Sequence, residues 1–417
     1  MCDIQPDKKP AIKVAIACGT EDRGERVNLM EPLLISETSR HRGELTDLAV
    51  ELAQRAAGLR RGLPEGIIES LSGLVRAMNC YYSNLIEGHD THLTDIEKAL
   101  KDDYSADIKK RNLQLEAKAH IAVQKWIDEG SLKRGATAVA SLQEIHCRFG
   151  ELLPRELLRA ENPDTGEVLN VVPGELRSRD VRVGRHVPVS PGAVLRFMER
   201  FENVYSGLGK TNAILASAAA HHRLLWIHPF LDGNGRVARL MSDAMLSEAL
   251  GAVRTWSVSR GLARDEVGYK SRLVACDMGR RNDLDGRGPL SEEALAEFTR
   301  FFLTTCIDQV DFMEGLMMPD RLLNRVLLWT EEEIRAGELP PQSRIIMRDV
   351  LYRGEIPRGE VTRLLGSSPR HARRVTSVLL KRGILVSRST RAPLRLAFPA
   401  EIASRWLPGL FPEKRER

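Results

Sequence analysis

A mainly α-helical protein, with one small β-hairpin and a C-terminal winged helix-turn-helix unit, is the fold class this sequence predicts. Three observations predict it. Apolar residues recur at three- and four-residue steps along most of the chain. The stretch from Glu161 to Pro191 breaks that period with turn residues and short β-prone pieces. From Pro340 onward seventeen Lys/Arg stand against six Asp/Glu, a charge of +11 in a chain whose net charge is +5, so the preceding part sums to −6. A basic unit on an acidic body is the pattern of a nucleic-acid-binding appendage.

The 417 residues suffice for a sizeable core in more than one domain. Apolar residues make up 42%, charged residues 29%, and mean hydropathy is −0.26, which is ordinary globular composition. No apolar run reaches the ~20 residues of a spanning helix, so no membrane partner is expected. The six cysteines show no short paired spacing, which argues against a zinc knuckle, a redox pair or a disulfide framework and suits a reducing compartment. KKPAIKVAIAC faintly echoes a lipoprotein signal, but Lys13 interrupts its apolar part. Residues 1–30 read as a polar, loosely ordered tail, and the expected location is cytoplasmic.

In order along the chain, a helical region spans 31–110. Leu45–Leu59 is its first helix, ended by Gly-Leu-Pro at 62–64; Ile67–Glu87 is the second, stopping at Gly88. HLTDIEKAL opens a third with Thr94 as N-cap and Glu97 closing a capping box. A core at 111–336 continues with helices Leu113–Asp128 and Ala138–Leu153, then a loop and a hairpin at about Arg177–Val189. Pro191 sits at the start of the next helix, followed by the strongly apolar Asn212–Trp226 and by Val237–Leu250. Helices near Ala263–Met278 and Ser291–Gly315 flank the loop RRNDLDGRG, and a last one ends at Ala336. GELPPQ reads as a linker, and 337–417 as the winged-helix domain.

The densest chemistry is HPFLDGNGRVAR, His228 to Arg239. Pro229 pushes His228 out of the α region, so the preceding helix ends there and presents the imidazole. Gly233-Asn234-Gly235 can turn successive N–H groups into an anion nest, with the positive end of the next helix behind it. Arg236 and Arg239 are three apart and share a face. Two arginines, a nest and a helix N-terminus exceed what one carboxylate needs and suit a polyphosphate. Asp232 is a hard ligand for Mg²⁺ beside it, and His228 is a base for an attacking hydroxyl. The constellation reads as phosphoryl or nucleotidyl transfer. His221 and His222 with His228 lack metalloprotease spacing and glutamate and read as satisfied core histidines. No GxxxxGK[ST] precedes a helix, so a P-loop is excluded.

This stretch resembles the Fic family, matching HxFx(D/E)GNGRxxR in full over a resemblance that covers roughly Glu31 to Ile334. The resemblance implies transfer of AMP from ATP to a protein hydroxyl. It makes His228 the base, Phe230 a loop anchor, Asp232 the metal ligand, and Gly233, Asn234 and Gly235 the anion-binding backbone. Arg236 would contact the β-phosphate region and Arg239 the γ-phosphate. The segment SNLIEG resembles that family's inhibitory motif (S/T)xxxE(G/N). By that likeness Glu87 pairs with Arg239 and Ser83 hydrogen-bonds near Asn234. Read from the residues alone, Ser83 and Glu87 share a helix face, and a carboxylate in the last turn needs a basic partner.

The same resemblance makes RDVRVGRHVP a flap that pairs with the target as an added strand through Val181, Arg182, Val183 and Gly184. The usual IGG stands here as VGR, one glycine short. Tyr269 lies where relatives place an aromatic beside adenosine; a core tyrosine is the alternative. In the basic unit, Arg370, Arg373 and Arg374 would begin a DNA-recognition helix, with Arg388, Arg391 and Arg395 on or near the wing. The expected activity is autoinhibited protein adenylylation of Ser, Thr or Tyr. The alternatives are removal of AMP using Glu87, or a DNA-binding regulator with a nucleotide-sensing core. Expected partners are ATP, a target protein, duplex DNA and a second copy of the chain.

Overall fold

Helix follows helix in the computed structural model, which describes residues 13–15, 21–161, 166–251 and 255–412. A short strand, β1 (Lys13–Ala15), comes first. Helix α1 (Arg42–Arg61) buries Leu45, Ala49, Leu52, Ala56 and Leu59, one stripe at helical spacing. Helix α2 (Glu65–Ile86) starts after Pro64 and is buried over most of its length. Then come α3 (Leu93–Leu100) and α4 (Ile108–Asp128), the latter capped by Asp107 accepting from the N–H of Lys110. The capping box expected at Thr94 does not form. His92 is the N-cap and makes no side-chain cap bond, so Thr94 lies inside the first turn.

After α5 (Val139–Glu151), strands β2 (Arg159–Glu161) and β3 (Val168–Asn170) pair antiparallel in a segment expected to be loop. Strand β4 (Asp180–Arg182) pairs antiparallel with β1, Val14 opposite Val181. The expected 177–189 hairpin is much shorter than predicted. Beyond β4 it consists of the reciprocal bridge between Val183 and His186 around a two-residue turn.

Helices α6 (Val194–Tyr205), α7 (Lys210–Ile227) and α8 (Asn234–Leu250) form the centre with α9 (Val258–Arg264), α10 (Glu266–Cys276) and α11 (Glu292–Met317). α7 packs on α1, α6, α8 and α11. It is apolar on nearly every side because it is buried nearly all round. Helix α12 (Pro319–Arg335) leads to α13 (Ser343–Arg353), and the two pack together. Leu339 between them is buried, so GELPPQ is a packed turn rather than a free tether.

The remainder is β5 (Glu355–Ile356), α14 (Val361–Leu365), α15 (Pro369–Lys381), β6 (Leu385–Val386), β7 (Leu394–Leu396) and α16 (Ala400–Trp406). The three strands form an antiparallel sheet in the order β5-β7-β6. β7 lies against α2, and α16 folds back over α3 and α12.

The loosely ordered tail expected at 1–30 is corrected for residues 21–30 alone; residues 1–12 and 16–20 lie outside the described residues. Met30 is fully buried, Arg23 pairs with Asp180, and Asp22 pairs with Arg196 at 3.0 Å. Glu25 accepts from the Ser190 N–H at 2.7 Å and from its hydroxyl at 2.6 Å. Residues 21–30 are therefore fastened to the loop before α6. No helix among the described residues is long and apolar enough to cross a membrane.

Candidate active site

The chain leaves α7 at His228, whose backbone is left-handed with φ 53° and ψ 61°. Pro229 excludes the right-handed helix, as expected, but the residue turns into the left-handed region rather than the extended one. That conformation costs a non-glycine residue on the order of 1–3 kcal/mol and needs support from its surroundings. The imidazole is buried, with Nδ1 3.3 Å from the Leu225 carbonyl and Nε2 without a hydrogen-bond partner. Burial, reinforced by the Arg177 charge, lowers its pKa to about 3. The ring is neutral at neutral pH, with one nitrogen open to a proton.

Between His228 and α8 the loop closes on itself. Asn234 Oδ1 accepts from the Phe230 N–H at 2.9 Å, and its Nδ2 donates to the Phe230 carbonyl at 2.8 Å. Gly233, with φ 81°, is the N-cap of α8, which is why that helix starts at Asn234 rather than at Val237. Phe230 is fully buried and stacked flat on His146, centroids 4.1 Å apart and planes 3° apart. His146 accepts the Gly174 N–H on Nδ1 at 2.8 Å, so its Nε2 carries the proton donated to the Asp232 carbonyl at 3.1 Å. His146 stitches this loop, as does Arg177, which donates from Nε to the His228 carbonyl, and sequence alone discloses neither. They lie far away along the chain and carry no local signature.

Arg236 and Arg239 point from the first turns of α8 into the same interior. Arg236, 12% exposed in its side chain, lies over the Phe149 ring at 4.8 Å, with Nη1 3.6 Å from Glu116 and Nη2 3.7 Å from Asp232. Its Nε and Nη1 make no hydrogen bond, so a buried guanidinium holds donors in reserve. Glu116, on α4, was also missed from sequence; it holds His89 Nδ1 at 2.6 Å.

Arg239, only 3% exposed in its side chain, donates from Nε to Ser83 Oγ at 2.8 Å and from Nη2 to Glu87 Oε1 at 2.5 Å. Ser83 thus meets Arg239 and not Asn234, whose amide is spent on Phe230. Burial raises the Glu87 pKa, but the charges of Arg239 and Arg236 outweigh it and hold the carboxyl down at about 2. A Cβ on Gly235 would stand 2.3 Å from Glu87 Oε1, so the missing side chain is what lets the carboxylate reach the start of α8. An anion already sits at the anion cradle.

Asp232 is 37% exposed, and its nearest cation is beyond hydrogen-bond range. A lone carboxylate of this kind fits a Mg²⁺ ion that draws its other ligands from phosphate and water. Among the described residues no three His, Cys, Asp or Glu side chains converge as a metal cage. His221 donates from Nδ1 to Ser242 Oγ at 2.8 Å and meets the Tyr269 hydroxyl at 2.6 Å; His222 Nε2 lies 3.0 Å from Asp277. Both are satisfied core residues. Tyr269, expected beside adenosine with a core tyrosine as the alternative, is 2% exposed, and its hydroxyl meets His221 by that contact.

In the segment expected to be a flap, Val181 is buried, Gly184 turns with φ 59°, and His186 Nε2 donates to the Trp226 carbonyl at 2.7 Å, tying the turn to α7. The strand edge expected to receive a target is paired with β1 here. In the C-terminal unit, Arg370, Arg373 and Arg374 are exposed on the first turns of α15. Arg388 and Arg395 instead reach Glu69 of α2.

A sequence profile described as the Fic/DOC family matches residues 152–246. A protein named protein adenylyltransferase Fic from Drosophila erecta is 28% identical over 225 residues, which is 51% of this chain and 42% of that protein. Its namesake from Drosophila persimilis is 29% identical over 198 residues, 46% of this chain and 36% of its own length. The match thus spans less than half the length of these relatives. The crystal structure of a Fic family protein from Desulfovibrio desulfuricans G20 shares the fold, with a TM-score of 0.50 at 17% identity over 87% of this chain and 98% of that one.

Proposed function

From the premise that this chain carries a Fic domain, we propose that it is a protein adenylyltransferase held in check by Glu87. It moves AMP from ATP to a Ser, Thr or Tyr hydroxyl of a target protein. One observation carries the reading: a neutral, unpartnered His228 Nε2 and a two-arginine cradle occur together, with a carboxylate of the chain itself in that cradle. The names of the Drosophila relatives support the activity.

In this reading His228 Nε2 takes the proton of the acceptor hydroxyl as its oxygen bonds to the α-phosphorus. The bond from that phosphorus to the bridging oxygen breaks, and pyrophosphate leaves. Arg236, Arg239 and the N–H groups opening α8 neutralise the departing charge. Asp232 would hold Mg²⁺, which when bound offsets charge on the phosphate oxygens. Glu87 opposes all of this by spending Arg239 and by adding a negative charge where phosphate must come. Held at about 2, its carboxyl is a weak base, which favours a blocking role over activation of a hydrolytic water.

The test is incubation of wild type, Glu87→Gly and Glu87→Gly/His228→Ala with α-labelled ATP, reading modified hydroxyls by mass spectrometry. Label confined to the single variant supports the proposal; equal labelling of all three defeats it.

A second role belongs to the C-terminal unit, proposed as a winged helix that grips duplex DNA. The supporting observation is that Arg370, Arg373 and Arg374 are exposed at the start of α15 and, among the described residues, enter no ion pair. Affinity for a DNA duplex should fall steeply with salt, and Arg373→Glu/Arg374→Glu should flatten that slope. Absence of binding at low salt removes the idea.

A further inference from the structure

The helix that ends at Glu87 is held at its other end by the C-terminal unit. Glu69, in the second turn of α2, accepts from both Arg388 and Arg395. Arg395, on β7, is shared with Glu355 of β5 at 2.8 Å. One turn earlier, Gly66 lies so close to Gly354 that a Cβ there would stand 2.3 Å from its carbonyl oxygen. Near the far end of α2, the Tyr82 hydroxyl donates to the Leu410 carbonyl at 3.0 Å, and Phe411 packs against Tyr81 with centroids 5.7 Å apart. Arg260 anchors that same C-terminal turn through the Gly409 carbonyl at 2.8 Å. Tyr82 adjoins Ser83, which grips Arg239.

Glu87 follows Glu69 by eighteen positions along continuous helix, roughly 27 Å of rod at 1.5 Å per residue. A shift or tilt imposed at one end of such a rod reaches the other, because its hydrogen-bond ladder resists local bending. Glu87 sits just past the last turn, and its pairing with Arg239 depends on a gap at Gly235 that a single added methyl would close. Small displacements of α2 therefore decide whether the carboxylate fits.

We infer that Glu69 is a positioning residue for the blocking carboxylate. Through Glu69, and through the contacts at Gly66 and Tyr82, the C-terminal unit sets where α2 presents Glu87. The inference rests on the proposed reading of Glu87 as the group that blocks transfer. Isolated surface ion pairs contribute little, but here two arginines converge on one carboxylate, and Arg395 is only 23% exposed.

The test uses the full chain carrying Glu69→Arg or Glu69→Gln, each with Glu87 present and with Glu87→Gly. Two quantities are read: AMP transfer from α-labelled ATP, and hydrogen exchange of the segment 79–88 against that of α7. Glu69→Arg should raise transfer about fivefold when Glu87 is present, Glu69→Gln should raise it less, and neither should change it in the Glu87→Gly protein. Exchange at 79–88 should quicken while α7 stays protected, which separates repositioning from unfolding. If Glu69→Arg loses protection in α7 as well, the milder Glu69→Gln decides by the same two readouts. Unchanged transfer and exchange, or an equal change of transfer in both backgrounds, overturns the inference. Should Glu87→Gly itself transfer no AMP, it is the adenylyltransferase reading that fails, and exchange at 79–88 alone then upholds or overturns the role of Glu69.

Discussion

Nε of Arg177 donates to the carbonyl of His228 at 2.7 Å, so the strained backbone of the proposed base hangs on a guanidinium 51 residues earlier in the chain. The same side chain reaches the carbonyls of Arg179 at 2.9 Å, Ile227 at 3.4 Å and Val189, and the Arg177 N–H holds the Pro229 carbonyl at 2.8 Å. Burial lowers its pKa to about 10, which leaves it charged at neutral pH. Arg177→Ala strands several buried carbonyls and should cost about 3–5 kcal/mol in urea denaturation. Transfer in the Glu87→Gly background should fall about tenfold or more as His228 relaxes out of its turn. Arg177→Lys should rescue little, because an ammonium cannot fork to several carbonyls. Wild-type stability in the alanine variant would mean that those carbonyls find other partners.

Glu87→Gln keeps the shape of the blocking side chain and removes its charge. Arg239 then loses its counter-ion while keeping Ser83. Allowing for a carboxylate that is 37% exposed, the pair contributes about 1–2 kcal/mol to the resting protein. The glutamine variant should therefore melt about 1–2 °C lower without nucleotide. It should gain more from ATP and Mg²⁺ than wild type does, because phosphate now meets an unpaired arginine. Thermal denaturation with and without nucleotide checks both; an equal nucleotide shift in the two proteins contradicts the competition.

The site was legible in sequence where its parts are consecutive. His228, Asp232, the Gly233–Gly235 turn, Arg236 and Arg239 lie within twelve residues, and their backbone needs are written in Pro and Gly. The end of α2 was legible for the same reason, since Gly88 takes φ 80° just past Glu87. Arg177, His146 and Glu116 were not legible, because they come from separate segments and matter only through packing that brings them to the loop. The β2–β3 pair escaped because three-residue strands carry no alternation to detect. Residues 21–30 look polar and are held by ion pairs and hydrogen bonds that only the folded partners Asp180, Ser190 and Arg196 disclose.

Acid should unfold this protein sooner than ordinary carboxylate titration would. Burial lowers the pKa of His120, His221 and His228 to about 3, and of His146 and His222 to about 4. Unfolded, these rings take up protons near 6.5, so below that pH the unfolded state binds more protons and stability falls with pH. Asp243 works the other way: burial raises its pKa to about 8, and its contribution grows as pH falls from there toward 4. The balance is a loss of roughly 5–8 kcal/mol between pH 7 and pH 5. Glu87, at about 2, keeps its ion pair throughout that window, so acid should not relieve inhibition before it unfolds the chain. Denaturant midpoints at pH 7 and 5 check the slope; equal midpoints would mean that the rings protonate in place.

Gly235→Ala separates the block from the cradle. The added methyl would stand 2.3 Å from Glu87 Oε1 and 3.1 Å from Arg239 Nη1, so it must push the carboxylate off the arginine. Loss of the block alone predicts a gain like that of Glu87→Gly. Yet the methyl also fills the space above the first turn of α8, where phosphate oxygens would approach the backbone N–H groups. A phosphate cradle at that turn therefore predicts the opposite: ATP affinity about tenfold or more below that of Glu87→Gly, and transfer that Glu87→Gly cannot restore when the two changes are combined. Calorimetric titration of ATP into the single and double variants distinguishes the two. High affinity in Gly235→Ala would show that Gly235 makes room for Glu87 alone and that the nucleotide binds elsewhere.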